Sequence, residues 1–121
     1  MRIEELSIGD WVQVDGVARQ VWRVDGSGLV ALRLLANPIA MGVIKPIPLT
    51  PEILEKNGCL HTAENRILCD WFDGRITVRK YNNREWYELF VGSNQMKFKL
   101  MFVHQLQHAL RLAGIDKEIE V

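Results

Sequence analysis

Apolar and polar residues alternate in short runs over most of the chain, and a helical period takes over only near its end. From Leu6 to Arg33 the alternation predicts a small antiparallel meander. Ile8-Gly9-Asp10-Trp11-Val12-Gln13-Val14 is strand-like, Asp15-Gly16 is a strong hairpin signal, and Val17 to Val24 makes a second strand. Asp25-Gly26-Ser27-Gly28 gives a second turn and Leu29 to Leu34 a third strand. Short strands at this spacing suggest a small curled sheet, for which an SH3-like half-barrel is one candidate. A two-residue turn at Asp15-Gly16 would set Val12 opposite Arg19, a poor core pair, so a bulge or longer loop is expected there.

Pro38, Gly42, Pro46 and Pro48 break both periods, so residues 36–48 read as a Pro-rich connector. A helix start follows. Thr50 is the N-cap, Pro51 the first helical residue and Glu52 a first-turn acid, with Leu49 and Leu54 as a hydrophobic staple. Asn57-Gly58 stops this helix after about two turns.

The next segment alternates cleanly. Asp73-Gly74 and Asn82-Asn83 both suit two-residue hairpin turns, and counting outward from them gives a three-stranded meander. One face carries Trp71, Ile76 and Leu89 in one row and Cys69, Val78 and Tyr87 in the next. The opposite face carries Phe72, Arg75 and Phe90, then Asp70, Thr77 and Glu88, then Leu68, Arg79 and Trp86. The period then turns helical after a short strand around Lys97 to Leu100. Val103, Leu106, Leu110 and Ala113 form one stripe, His104, Gln105, His108 and Arg111 point elsewhere, and Gly114 is the stop. This helix is expected to cover the first face of the meander.

The expected architecture is a single α+β domain over residues 1–121. It comprises an N-terminal β-meander (1–35), the connector (36–48), a segment with the short helix, three-stranded meander, strand and C-terminal helix (49–114), and a tail (115–121). A chain of 121 residues suffices for one domain with a real core. Fifteen basic residues balance fifteen acidic ones, which argues against holding nucleic acid by bulk charge. Glu4 and Glu5 stand where a signal peptide would begin its apolar run, and the apolar stretch Leu29 to Ile47 is broken by Arg33, Asn37, Pro38 and Lys45. No membrane span is expected, and the expected location is cytoplasmic. Cys59 and Cys69 are too few for a disulfide framework and read as reduced, buried thiols. A zinc site of Cys59, His61 and Cys69 lacks a tight ligand pair.

Three blocks carry a resemblance. They are Ile3-Glu4-Glu5-Leu6-Ser7-Ile8-Gly9-Asp10-Trp11-Val12, Ile47-Pro48-Leu49-Thr50-Pro51-Glu52-Ile53-Leu54-Glu55-Lys56-Asn57-Gly58, and Phe102-Val103-His104-Gln105-Leu106-Gln107. In this order they resemble a family of small phage- and mobile-element-associated proteins of gut anaerobic bacteria. The resemblance implies an accessory protein of a phage or mobile element and supplies no activity and no site residues. In that family a bulkier aromatic segment often stands where this chain has His108-Ala109-Leu110, which puts a special role for His108 in doubt.

Candidate chemistry is sparse. His104 and His108 have a metal-ligand spacing on a helix, but Gln105 stands where a zinc peptidase needs a glutamate as base. They stay weak metal candidates, and no cofactor is expected. Asp70 and Glu88 flank Thr77 on a flat face without the cleft that raises a catalytic carboxyl pKa. Ser7, Ser27 and Ser93 lack a nucleophile elbow, and Asp25-Gly26-Ser27-Gly28 lacks the helix and lysine of a phosphate loop. An enzyme is not expected. The stronger candidate is the face of Phe72, Arg75, Arg79, Trp86 and Phe90, where guanidinium groups neighbour aromatic rings. It suits a protein partner first and single-stranded nucleic acid second, and a homo-oligomer stays open. Trp11 and Trp22 either knit the first meander to the rest of the chain or line a groove.

Overall fold

The computed structural model describes residues 5–25, 27–63, 66–69, 76–80, 85–91 and 96–121, of which 61–63, 66–69, 96 and 97 are described by backbone alone. The fold is α+β, with two antiparallel sheets and two α-helices among the described residues. The chain divides into two compact units, Met1–Ile47 and Pro48–Val121.

The first unit is built on strands β1 (Trp11–Val14), β2 (Val17–Val24), β3 (Leu29–Leu32), β4 (Ile39–Ala40) and β5 (Lys45–Pro46). They form one five-stranded sheet in the order β4-β3-β2-β1-β5. The expected bulge at Asp15-Gly16 is absent. Val14 pairs with Val17 and Val12 with Arg19, so the turn has two residues. Asp15 and Gly16 both take positive φ, 51° and 78°, the backbone twist that a tight hairpin needs and that aspartate and glycine tolerate. The irregularity falls instead between Val21 and Arg23, which leaves Trp22 outside the regular pairing with β3.

The proline-rich segment is likewise no mere connector. It supplies β4, a 3-10 turn at Met41–Val43, and β5, which returns to pair with β1. Proline is tolerated at such a short edge strand, because one side of the ladder needs no donor there. Leu6, Val12, Val21, Val30, Leu32 and Ile44 form the core of this unit, flanked by Val14, Val24, Leu35, Ile39 and Met41. Asp10 is buried, and its carboxylate accepts the Ser7 N–H at 2.8 Å.

The second unit begins with α1 (Pro51–Lys56). Thr50 Oγ1 accepts the Ile53 N–H at 3.2 Å, the N-cap read from sequence. The sheet runs β10-β9-β8-β7-β6, with β6 (Cys59–Ala63), β7 (Arg66–Cys69), β8 (Ile76–Lys80), β9 (Tyr87–Val91) and β10 (Met96–Leu100). Sequence periodicity finds the middle three strands and the last one. It misses β6, where Cys-Leu-His-Thr-Ala shows no clear alternation.

The register also differs from the one counted out from the turns. Cys69 pairs with Ile76 rather than Val78, and Val78 with Leu89 rather than Tyr87. Both shifts are two residues, so the same side chains face inward. Ile76, Val78, Tyr87, Leu89 and Leu100 are buried. Trp71 and the turns at Asp73-Gly74 and Asn82-Asn83 lie outside the described residues.

Helix α2 (Val103–Leu112) packs on the sheet with Val103, Leu106 and Leu110 buried, as the stripe predicts. Gln105 Oε1 reaches back to accept the N–H groups of Met101 and Phe102 at 2.7 and 3.1 Å, doing the work of the missing N-cap side chain. At the other end Gly114 takes φ 75°, its N–H bonds to Arg111 O, and the Ile115 N–H bonds to Leu110 O. That pair of bonds is a Schellman cap, and buried Ile115 completes it. Residues 115–121 then return to α1. Buried Asn57 accepts the Glu120 N–H and donates to Glu120 O, both at 2.7 Å, and also donates to Ile53 O.

Cys59 is buried and disulfide-bonded, which corrects the expectation of reduced thiols. The ladder places the backbone of Cys69, the chain's one other cysteine, directly opposite. A cysteine so bonded is no thiolate ligand, so the Cys59, His61 and Cys69 zinc set falls. No described helix is long and apolar enough to cross a membrane.

Candidate functional site

The outward face of the second sheet follows from the alternation along β8, β9 and β10. Its buried residues point to the helix, and the residues between them point away. One row pairs Arg79 with Glu88 and Glu88 with Lys99. The adjacent row pairs Thr77 with Phe90. Arg79, Trp86 and Phe90 therefore share a face, as expected, but with different neighbours. The Arg79 guanidinium lies 5.3 Å from the centre of the Phe90 ring, and Lys99 Nζ lies 3.9 Å from that of Trp86. Arg79 was expected beside Trp86. The two-residue register difference sets it opposite Glu88 and towards Phe90, while the pairing of β10 with β9 brings Lys99, a residue the periodicity does not single out, to Trp86. Phe72 and Arg75 lie outside the described residues, as does Asp70.

Cation–ring pairs of this kind gain about 0.5–1 kcal/mol each when exposed. They also hold long side chains over the rings, leaving a surface of charge and aromatic edge that is ordered before anything binds. Glu88 between two cations keeps the row from being uniformly basic.

His104 and His108 come together, with ring centroids 5.7 Å apart and edge-on, while Phe102 stacks on His104 at 5.9 Å. His104 is buried, contrary to the expectation that it projects away from the core. The helix is enclosed on more than its apolar stripe, since Gln107 and Ala109 are buried too. His108 is half-buried and borders a shallow hollow of about 210 Å³ between α2 and β10. Among the described residues no three His, Cys, Asp or Glu side chains gather as a metal site.

The first unit carries a feature that periodicity leaves undecided. Trp11, Ala18, Arg19, Gln20, Arg33 and Leu34 line a groove of about 270 Å³. The Arg33 N–H bonds to Gln20 O at 2.9 Å, and Gln20 Nε2 to Gly9 O at 3.2 Å, which ties the groove wall to the sheet. The Arg33 guanidinium lies 5.5 Å from the centre of the Trp22 ring, and Trp22 is 58% exposed. Trp11 thus lines the groove and Trp22 stands beside it. The signal for this was the pairing of Trp with Arg across β2 and the turn after β3, visible only once the irregularity at Trp22 is placed.

A scan against protein-family models finds no match to this chain, and searches of curated proteins and of solved structures find none either.

Proposed function

We propose that this chain is a non-enzymatic interaction module that binds a protein partner through the outward face of its second sheet. The observation that carries this is the ordered pairing of Lys99 with Trp86 and Arg79 with Phe90 on one face. Aromatic and arginine side chains held in place are the usual energetic centres of protein interfaces. Glu88, set between Arg79 and Lys99, favours a partner of mixed charge over a polyanion. The resemblance of the three sequence blocks to phage-associated proteins is the ground for proposing an accessory role in a phage or mobile element.

The test is a tagged capture from native host lysate with and without nuclease, repeated with Arg79→Ala and Trp86→Ala. A partner that survives nuclease and falls about tenfold or more in both variants supports the proposal. Unchanged capture by both variants sinks it. A second reading, single-stranded nucleic acid on the same face, is favoured by Arg79 and Lys99 standing beside rings on which bases could stack. Its mark is capture lost with nuclease and an affinity that falls steeply with salt.

Two finer points belong to the same proposal. The strand order β4-β3-β2-β1-β5, with a 3-10 turn before the fifth strand, supports reading the first unit as SH3-like. The expected cytoplasmic setting stands against the Cys59 disulfide. Alkylating thiols at the moment of lysis decides between them, because a reducing compartment would leave Cys59 open to the reagent.

A further inference from the structure

We infer that the groove beside Trp22 in the first unit is a second, independent docking site, and that it takes an extended acidic peptide segment bearing an apolar side chain. The charge on its walls points there first. Two arginines, Arg19 and Arg33, line it, and no carboxylate is among its lining residues. The acids near it in sequence do not line it, and Asp15 borders a separate hollow with Gln13, Gly16, Gly42, Val43 and Lys45. Asp10 is buried against the Ser7 N–H, and Asp25 accepts from both the N–H and the hydroxyl of Ser27, bonds that hold its carboxyl below the usual range. Arginine presents a planar fork of donors that matches a carboxylate, and here the fork of Arg33 is steadied over the Trp22 ring. Arg19 Nη1 donates to Arg33 O at 3.4 Å, so the two cations are coupled through the turn.

The second ground is Leu34. It is 94% exposed and takes φ 69°, at the third position of the turn closed by the Leu35 N–H to Leu32 O bond. Glycine or asparagine suits that position, and a bulky side chain there is strained. A fully exposed leucine held in a strained turn at the lip of a groove contributes nothing visible to the core. It supplies an apolar contact for a partner's side chain. Trp22 beside it adds a ring that is more than half exposed. Cationic walls with an aliphatic lip fit a peptide of carboxylates and apolar residues better than a nucleic acid, which has no use for the leucine.

The experiment is fluorescence anisotropy on the full chain with a short fluorescein-labelled peptide that carries acidic residues around a leucine and a phenylalanine. The same peptide with amides in place of carboxylates and an oligothymidylate serve as the other probes. The acidic peptide should bind, the amide version should bind about tenfold more weakly, and Arg33→Glu should lose about tenfold or more. Leu34→Gly should weaken binding while leaving the melting temperature equal or higher, which separates a docking role from a structural one. Leu60→Ser, at an exposed position of the other unit, should leave peptide binding unchanged. Failure of the acidic peptide to bind overturns the inference. So does binding that Arg33→Glu and Leu34→Gly leave intact, or oligothymidylate displacing the peptide at lower concentration.

Discussion

At the scale of single residues, Tyr87 carries a buried group at odds with its surroundings. The Tyr87 hydroxyl is buried and has no hydrogen-bond partner among the described residues. Burial pushes its phenol above the ordinary value, and the charge of Glu52 pushes the same way. A raised folded-state value means the neutral phenol is favoured in the fold. Its contribution is fully present below about pH 10 and is lost as pH rises from there through the folded value. Tyr87→Phe removes a desolvated hydroxyl, so it should stabilise the protein by about 1 kcal/mol and flatten the alkaline limb of a pH–stability curve. A destabilised variant in urea titration would show that the hydroxyl is bonded after all. Asn57 is the opposite case, a buried amide whose nitrogen and oxygen both have hydrogen-bond partners. Asn57→Ala strands the Glu120 backbone and should cost about 1–3 kcal/mol, read by the same titration. Thr50 and Gly114 were legible from sequence because each acts on its own turn, and Asp15-Gly16 was legible as a turn but not as a two-residue one. The burial of His104 and the backbone of Leu34 were not, because tertiary packing decides the first and nothing local favours the second.

At the scale of elements, what could be read depended on whether the period or the partner mattered. Alternation along β8 and β9 put Arg79, Trp86 and Phe90 on one face, and a two-residue change of register left that face intact. Pairing was another matter. Which cation meets which ring depends on register, and the tight turns that seemed to set it predicted the wrong neighbours. The groove of the first unit escaped for a related reason. Trp22, whose ring meets Arg33 beside it, falls out of step between Val21 and Arg23, and no periodic pattern announces a skipped residue. The disulfide at Cys59 is an element-level feature too, because it lies in β6 beside the end of α1. Cys59→Ser should cost about 2–3 kcal/mol, and reductant should lower the melting temperature of the native chain by the same mechanism while leaving the variant unmoved. A thiol titration that finds free cysteine in unreduced, folded protein would contradict this.

At the scale of the whole molecule, composition supports little beyond a balanced charge and an ample apolar share. The α+β class emerged from summing local periods, and it holds. The division at Ile47 was hidden because the segment whose prolines look like a linker supplies both edge strands of a sheet. If each unit carries its own binding surface, the chain is bivalent, and its avidity for a partner displaying both ligands would exceed either affinity alone. Single-surface variants, Arg33→Glu or Trp86→Ala, should then each reduce capture of such a partner, with the double variant reducing it beyond both.

Asn57 offers a last consequence. Its amide faces Glu120 as a peptide group would face its neighbour in a ladder, giving and taking one hydrogen bond each. The Glu120 backbone N–H can therefore exchange with solvent deuterium only when that side chain lets go. Its exchange rate is a gauge, at one atom, of how often the end of α1 and the returning segment part company.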